Sequence, residues 1–306
     1  MPFHLFRLKT NIKVADILSL FRLNVQGKTV IKQKCRPFPA AIFPHFQSLF
    51  FSAIMPPMKR TPDYTTIYQD DQIVVLNKRS GLLIAADRYD TEAPRLDLEA
   101  EKEFGKLFAV HRIDKDTSGI IIYARNPEAH KALSLQFQER QVEKTYHCLV
   151  HGHPLWTELK ADLPLLPDGD ARHRTVVNKK IGKPSLTEFR LLGSCGPFSW
   201  VEAKPKTGRT HQIRVHLAEN KFCIVCDPLY SGNQKPVRLS EIKRSWRGDE
   251  FEEQPLLSRL ALHAYKISFN HPVTGERLTF TAPYQRDMDA LRKQLAKLYD
   301  VDPLKE

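Results

Sequence analysis

Cysteine is scarce in this chain: five in 306 residues, at positions 35, 148, 195, 223 and 226. An odd, scattered set suits a reducing compartment better than a disulfide framework. Cys223-Ile-Val-Cys226 has the spacing of a metal or redox pair, but there is no second pair, and the segment reads as a buried apolar strand. Acidic residues are nearly absent from one region. Residues 1–60 hold ten Lys or Arg and a single acid, Asp16, and so carry +9 of the net +12. The basic character therefore belongs mostly to this leader and is weak evidence that the rest binds nucleic acid. A long apolar run is missing too. Positions 37–58 have no formal charge, but Pro37, Pro39, Pro44, His45 and Gln47 break them up. A membrane span needs ~20 predominantly apolar residues, so none is expected. There are no internal repeats. With 42% hydrophobic and 27% charged residues, the composition excludes collagen, coiled coil, pure disorder and a disulfide-rich miniprotein. The length allows one large domain or two small ones.

Residues 1–58 are expected to form a basic, poorly ordered leader. Its acid-poor, amphipathic start has the composition of an organelle transit peptide. The simpler reading is a start placed too early, since Met55 and Met58 precede the first well-patterned segment. From Tyr64 the pattern sharpens. Strands are expected at 65–68, 73–78, 119–124, 145–150, 186–192 and 199–203. Asn126, Pro127 and Glu128 predict a helix start, with the helix running to about Arg140. Helices are also expected at 210–219 and, from Met288, Leu291, Leu295 and Leu298, at the C-terminal end. Residues 86–105 read as a loop leading into a short helix, 165–184 as an exposed excursion rich in Pro, Gly, Arg and Lys, and 232–255 as a charged insertion. Strands dominate without a regular βαβ rhythm, which points to an α+β or mixed class around one sheet.

Three segments carry chemistry. The first is His111-Arg112-Ile113-Asp114-Lys115-Asp116-Thr117-Ser118-Gly119, a polar loop anchored by the buried strand that follows it. A run like this is usually a solvated turn. It also echoes the kinase HRD loop, but the Asp is one place late, no Asn follows at kinase spacing, and neither a Gly-rich loop nor DFG is present. The second runs from Lys204 to His216. It packs four cations, two histidines and several hydroxyl or amide donors into thirteen residues, able to neutralise phosphates or pair with a carboxylate. If the segment is helical throughout, Arg214 shares a face with Thr210. His211 and His216 lack metal-site spacing, so no metal is expected. The third is Lys144-Thr145-Tyr146 on a predicted strand, which alone would mean nothing.

Taken together, the segments resemble the RluA-type pseudouridine synthases. His111 to Gly119 is similar to the family's HR(L/I)DxxTSG signature, Lys144-Thr145-Tyr146 to its K-x-Y motif, and Thr207 to Leu217 to TGRxHQ(I/L)RxH. Asn77-Lys78-Arg79-Ser80-Gly81-Leu82 resembles NKPSG(L/M), with Arg79 where Pro is usual. Cys226-Asp227 stands where the family has Gly-Asp. Leu262-His263-Ala264, His271-Pro272 and Ala282-Pro283 resemble its closing landmarks. Family order and spacing hold over about 64–284. The resemblance implies an α+β catalytic domain there, with a mixed, largely antiparallel central sheet flanked by helices and loops. Residues 285–306 would be a C-terminal amphipathic helix and tail.

The implied reaction is uridine-to-pseudouridine isomerisation in ribosomal or transfer RNA, with no cofactor and no metal. Asp114 would be the catalytic carboxylate, attacking C1′, adding to C6, or acting as a base. Its rival Asp116 sits at a family-variable position. Tyr146 would pack on the flipped uracil and serve as, or position, the base at C5, and Arg214 would pair with Asp114. Arg112 would enter the space left by the flipped base. His111, Thr117, Ser118, Lys144, Arg209, His211, Gln212 and Leu262 complete the expected substrate site, with Leu262 as a wall of the base pocket. The Arg172–Arg174 and Lys179–Lys183 stretches are candidate phosphate contacts. Two other functions compete: an idle RNA-binding relative and a glycosidase, the latter needing paired carboxylates. A cytoplasmic monomer is the default expectation, with organellar targeting by the leader as the alternative.

Overall fold

Runs of aliphatic, mostly β-branched residues set the centre of the fold. Ile73-Val-Val-Leu76 and Ile120-Ile-Ile122 lie in neighbouring strands buried on both faces. Alternate residues feed two cores: Val74, Leu76, Ile121 and Tyr123 enter one, while Ile73, Val75, Ile120 and Ile122 enter the other. The computed structural model describes residues 62–86, 93–232 and 235–305. The leader expected at 1–58, and the loop residues at 87–92 and 233–234, lie outside the described residues. Those described fall in one unit, Thr61–Glu306.

The elements, in chain order, are β1 (Tyr64–Gln69), β2 (Ile73–Lys78), α1 (Leu96–Phe104), β3 (Phe108–Ala109), β4 (Ser118–Ala124), α2 (Pro127–Gln138), β5 (Glu143–His151), β6 (Glu158–Asp162), β7 (Leu165–Leu166), β8 (Val176–Val177), β9 (Leu186–Cys195), β10 (Phe198–Pro205), α3 (Gln212–Glu219), α4 (Leu239–Ile242), β11 (Leu262–Asn270), β12 (Arg277–Thr281) and α5 (Arg286–Tyr299). Ten strands form one sheet, whose main path is β1-β2-β4-β11-β5-β10-β9-β6. Every pairing is antiparallel except β4 with β11. The fold is thus α+β around a mixed, mostly antiparallel sheet.

The parallel junction is short and tight. Ser118 pairs with His263 and Gly119 with Ala264. Gly119 has φ of 110°, and a Cβ there would sit 2.3 Å from the Ala264 carbonyl oxygen. Only glycine lets the two backbones approach this closely.

The α2 start is as expected: Asn126 accepts a hydrogen bond from Ala129 N at 2.8 Å, and Pro127 follows it. The helix expected over 210–219 begins later, at Gln212, because His211 takes a left-handed conformation with φ of 54°. Thr210 therefore precedes the helix and does not share a helical face with Arg214. The segment at Cys223–Cys226 is buried but is not the expected strand. It makes one isolated bridge, Val150 with Ile224, and turns at Cys226, where φ is 56°. The 165–184 excursion contains the small β7–β8 pair. In α5, Met288, Leu291 and Leu295 enter the larger core, beside Trp200 and Leu149.

Candidate active site

The site gathers where the β4, β5 and β11 ends meet the loops before β4 and α3. A cleft of about 470 Å³ is lined by His111, Arg112, Asp114, Thr117, Lys144, Tyr146, Arg209, His211, Gln212, Arg214 and Leu262, among others. Eleven of the twelve residues expected from sequence are thereby brought together. Ser118 lies elsewhere. It is buried on the opposite face of the sheet, where its hydroxyl meets His263 Nδ1 at 2.9 Å and accepts from Arg259 Nη1 at 3.2 Å.

Asp114 is the one acidic residue lining the cleft among the described residues; the other charged side chains there are six Lys or Arg. Its side chain is 21% exposed, and Arg214 Nη1 donates to its Oδ2 at 3.3 Å. Asp116 does not line the cleft. The loop carrying both is held from behind by the Lys78–Leu82 segment. The buried Lys78 ammonium donates to the carbonyls of Arg79, Leu82 and Lys115, at 3.1, 2.9 and 2.9 Å. Ser80 Oγ donates to Asp116 O at 2.7 Å, and Gly81 N to Lys115 O at 2.8 Å. Burial pushes Lys78 down to about 7 while Asp116 and Asp114 pull the other way. Three carbonyl acceptors match the three N–H bonds of its charged form.

Arg214 is buried and doubly paired. Its Nε and Nη2 donate to Asp227 Oδ2 and Oδ1, both at 2.8 Å. This bidentate grip leaves Nη1 for Asp114. Burial works against the guanidinium charge, but Asp227 and Asp114 outweigh it and raise the pKa above the ordinary arginine range. Asp227 also accepts from the backbone of Leu229 and Tyr230, at 2.8 and 3.2 Å, so its carboxylate is fully occupied.

Tyr146 lies in β5 between two small neighbours, Ala203 of β10 and Ala264 of β11. The two methyl groups leave room for a planar ring beside the phenol. Burial, with the Asp114 charge added, raises its pKa well above the usual 10, so Tyr146 keeps its proton. Burial lowers Lys144. His111 accepts from Ile122 N at 3.0 Å and stacks on Phe137, which ties the loop to β4 and α2. Burial pushes its pKa down to about 3, so the ring is neutral.

Gln212 is spent on structure. Its Oε1 accepts from Thr207 Oγ1 and Arg209 N, at 2.7 and 3.0 Å, and its Nε2 donates to Leu186 O and Thr187 Oγ1, at 3.0 and 2.9 Å. His211 Nε2 lies 3.9 Å from Asp114 Oδ2. Arg209 is half-buried, with Nε donating to Pro184 O at 3.3 Å. Arg112 is exposed, on the ridge between this cleft and a recess of about 290 Å³ formed with Leu83–Ala86.

Sequence reasoning assigned no role to Lys78, Asp227 or Tyr230. The signal for Asp227 is one acid closing the apolar run Phe222–Cys226. Among the described residues, no group of three or more His, Cys, Asp or Glu could hold a metal, and no helix is long and apolar enough to cross a membrane.

The family model for RNA pseudouridylate synthase matches residues 72–219. The dual-specificity RNA pseudouridine synthase RluA of Escherichia coli is 34% identical over 223 residues, which cover 72% of this chain and 94% of that protein. The ribosomal large subunit pseudouridine synthase D of Neisseria meningitidis is 33% identical over 234 residues, 72% of this chain and 58% of that one. Two solved human structures, RNA pseudouridylate synthase domain containing 1 and 4, share the fold. Both have a TM-score of 0.57 and 24% identity, and they cover 76% and 75% of this chain and 90% and 92% of their own. By this likeness in sequence, the chain belongs to the RluA-type RNA pseudouridine synthases, which are isomerases.

Proposed function

We propose that the chain isomerises specific uridines in ribosomal or transfer RNA, with Asp114 as the reacting carboxylate acting on a flipped-out base. The observation that carries this reading is a single carboxylate, braced by Arg214, in a cleft whose other charged side chains are all Lys or Arg. The reaction breaks the N1–C1′ bond, forms C5–C1′, and moves one proton from C5 to N1. It has no net redox change, and one carboxylate suffices, whether it attacks C1′, adds to C6, or acts as a base. A glycosidase would need a second carboxylate facing the first. The cations suit a phosphate backbone.

Unstacking the target costs a few kcal/mol. Arg112 stands exposed at the rim, where a planar cation can fill the vacated place in the RNA stack. Tyr146, with Ala203, Ala264 and Leu262 around it, receives the uracil ring. Its phenol is held protonated partly by the Asp114 charge. That part vanishes if Asp114 is esterified, and the phenol then comes closer to serving as the base at C5. Lys144, Arg209 and the exposed Arg172, Lys179, Lys180 and Lys183 are the proposed phosphate contacts.

The test compares pseudouridine maps of total RNA from cells with and without the gene. Loss of one or a few sites, restored by wild type but not by Asp114→Asn, supports the proposal and names the substrate. No lost site in ribosomal or transfer RNA would overturn it.

A further inference from the structure

Tyr230 is locked to Asp227 by the turn between them. Asp227 Oδ1 accepts the backbone N–H of Tyr230, and Ser231 Oγ donates to Asp227 O at 2.6 Å. The turn places the Tyr230 ring 5.2 Å from the Arg214 guanidinium carbon. Its hydroxyl lies 3.0 Å from His211 Nδ1, and 3.1 Å from both the N and the O of Thr175 in the 165–184 excursion.

A phenol has one proton and two lone pairs. One lone pair accepts the Thr175 N–H. The proton then has two possible acceptors. If it goes to Thr175 O, His211 Nδ1–H must donate to the phenol oxygen, and a bare Nε2 lone pair faces Asp114. If it goes to His211 Nδ1, the imidazole carries its proton on Nε2, directed at Asp114 Oδ2. The carboxylate charge selects the second arrangement, because a lone pair facing an anion repels it.

Resting on the reading that Asp114 is the reacting carboxylate, we infer that Tyr230 is a positioning residue: it donates to His211 Nδ1 and so holds the Nε2–H tautomer toward Asp114. Asp114 Oδ2 is then flanked by two oriented donors, Arg214 and His211. Asp227 orients the first and Tyr230 the second, three residues apart on one turn. Burial lowers the His211 pKa, which agrees with a neutral ring that has a tautomer to choose. Arg174, 5.7 Å from the Tyr230 ring and donating to Leu229 O at 2.9 Å, pins the excursion to the same turn.

Two measurements test this. The first is the imidazole ¹⁵N spectrum of histidine-labelled protein without RNA. The expected result is the Nε2–H tautomer for His211, giving way to a mixture or to Nδ1–H in Tyr230→Phe. An Nδ1–H tautomer in the wild type overturns the inference without any variant. The second is turnover on two probes, unmodified transfer-RNA transcripts and a transcribed fragment of large-subunit ribosomal RNA. Tyr230→Phe keeps the ring on Arg214, so kcat should fall about tenfold, the worth of one hydrogen bond, with KM changed less than about twofold. In a His211→Ala background, the same change should cost nothing further. An equal loss in both backgrounds, or a loss confined to KM, overturns the inference. No pseudouridine from the wild type on either probe, with the Nε2–H tautomer present, would overturn the substrate reading and leave the tautomer assignment standing.

Discussion

The two faces of the sheet around β4, β5 and β11 are built from alternating residues of the same strands, yet they do different things. On one face, Tyr146, Ala203 and Ala264 lie side by side. On the other, His147 pairs with Glu202 and His263, and His263 with Ser118. Both faces carry histidine, tyrosine and acid, buried or half-buried. On the second, the polar groups satisfy one another: His147 Nδ1 meets Tyr284 Oη at 2.6 Å, and His263 meets Ser118 Oγ and Ala282 O at 2.9 and 3.2 Å. On the first, Asp114 has one long hydrogen bond and an open side toward the cleft. Buried polarity alone therefore does not mark a site; hydrogen-bonding capacity left over toward a cavity does.

The comparison breaks most readily at Asp114. Asp114→Asn should lower turnover by about 10³-fold or more while leaving the melting temperature and RNA binding nearly unchanged. Single-turnover assays, thermal unfolding and binding titrations would show it, and retained turnover would remove Asp114 from its role. Next in size is Asp227→Ala, which strands a buried guanidinium. It should cost about 3–5 kcal/mol of stability in urea unfolding, together with activity.

The closed face should show itself through pH. Burial pushes His147 down to about 4 and His263 to about 3. Between about pH 4 and 6.5 the unfolded chain therefore binds more protons than the folded one, and stability falls as pH drops through that window. The slope is at most ~1.4 kcal/mol per pH unit for each histidine. His263→Leu should lower stability at pH 7, because it leaves Ala282 O without that partner, and should also reduce the acid slope. Turnover per folded molecule should stay within about threefold, the range of a change that leaves the cleft groups untouched. Equilibrium unfolding at pH 7 and pH 5, with an assay of the folded fraction, separates these outcomes. The smallest effect belongs to Asp116→Asn. Asp116 shares the loop but lies off the cleft, so turnover should stay within about threefold of wild type. A loss comparable to that of Asp114→Asn would reverse the choice between the two carboxylates.

Much of the candidate site was legible because most of the residues that meet in the cleft are contiguous in three short segments. The loop before β4 carries Asp114 and the first turn of α3 carries Arg214, each within a whole motif, and the structure brings both to one cleft. Ser118 was not legible. Strand alternation puts it opposite the cleft, but β4 is buried on both faces, so hydrophobicity gives no sign of which face is open. Asp227 and Tyr230 were hidden for another reason. Their partners, Arg214 and His211, are reached through a turn at Cys226, where a cysteine adopts the left-handed conformation and stands in place of the glycine that would have announced it. The late start of α3 has the same cause at His211. β11 and β12 were read only as landmark residues, because the pairing that makes them strands comes from β4 and β5, far away in the chain.

The place of β11 has a consequence for how the molecule is made. The sheet has two groups of strands, β1-β2-β4 and β5-β10-β9-β6, and on its main path only β11 joins them. Asp114 precedes the last strand of the first group, and Tyr146 lies in the second. β11 is encoded after both. A chain emerging from the ribosome in sequence order must therefore hold two unjoined edges until Leu262–Asn270 arrives between them. A fragment ending before Leu262 lacks the strand that joins the two groups on that path, and is expected to have neither cleft nor activity.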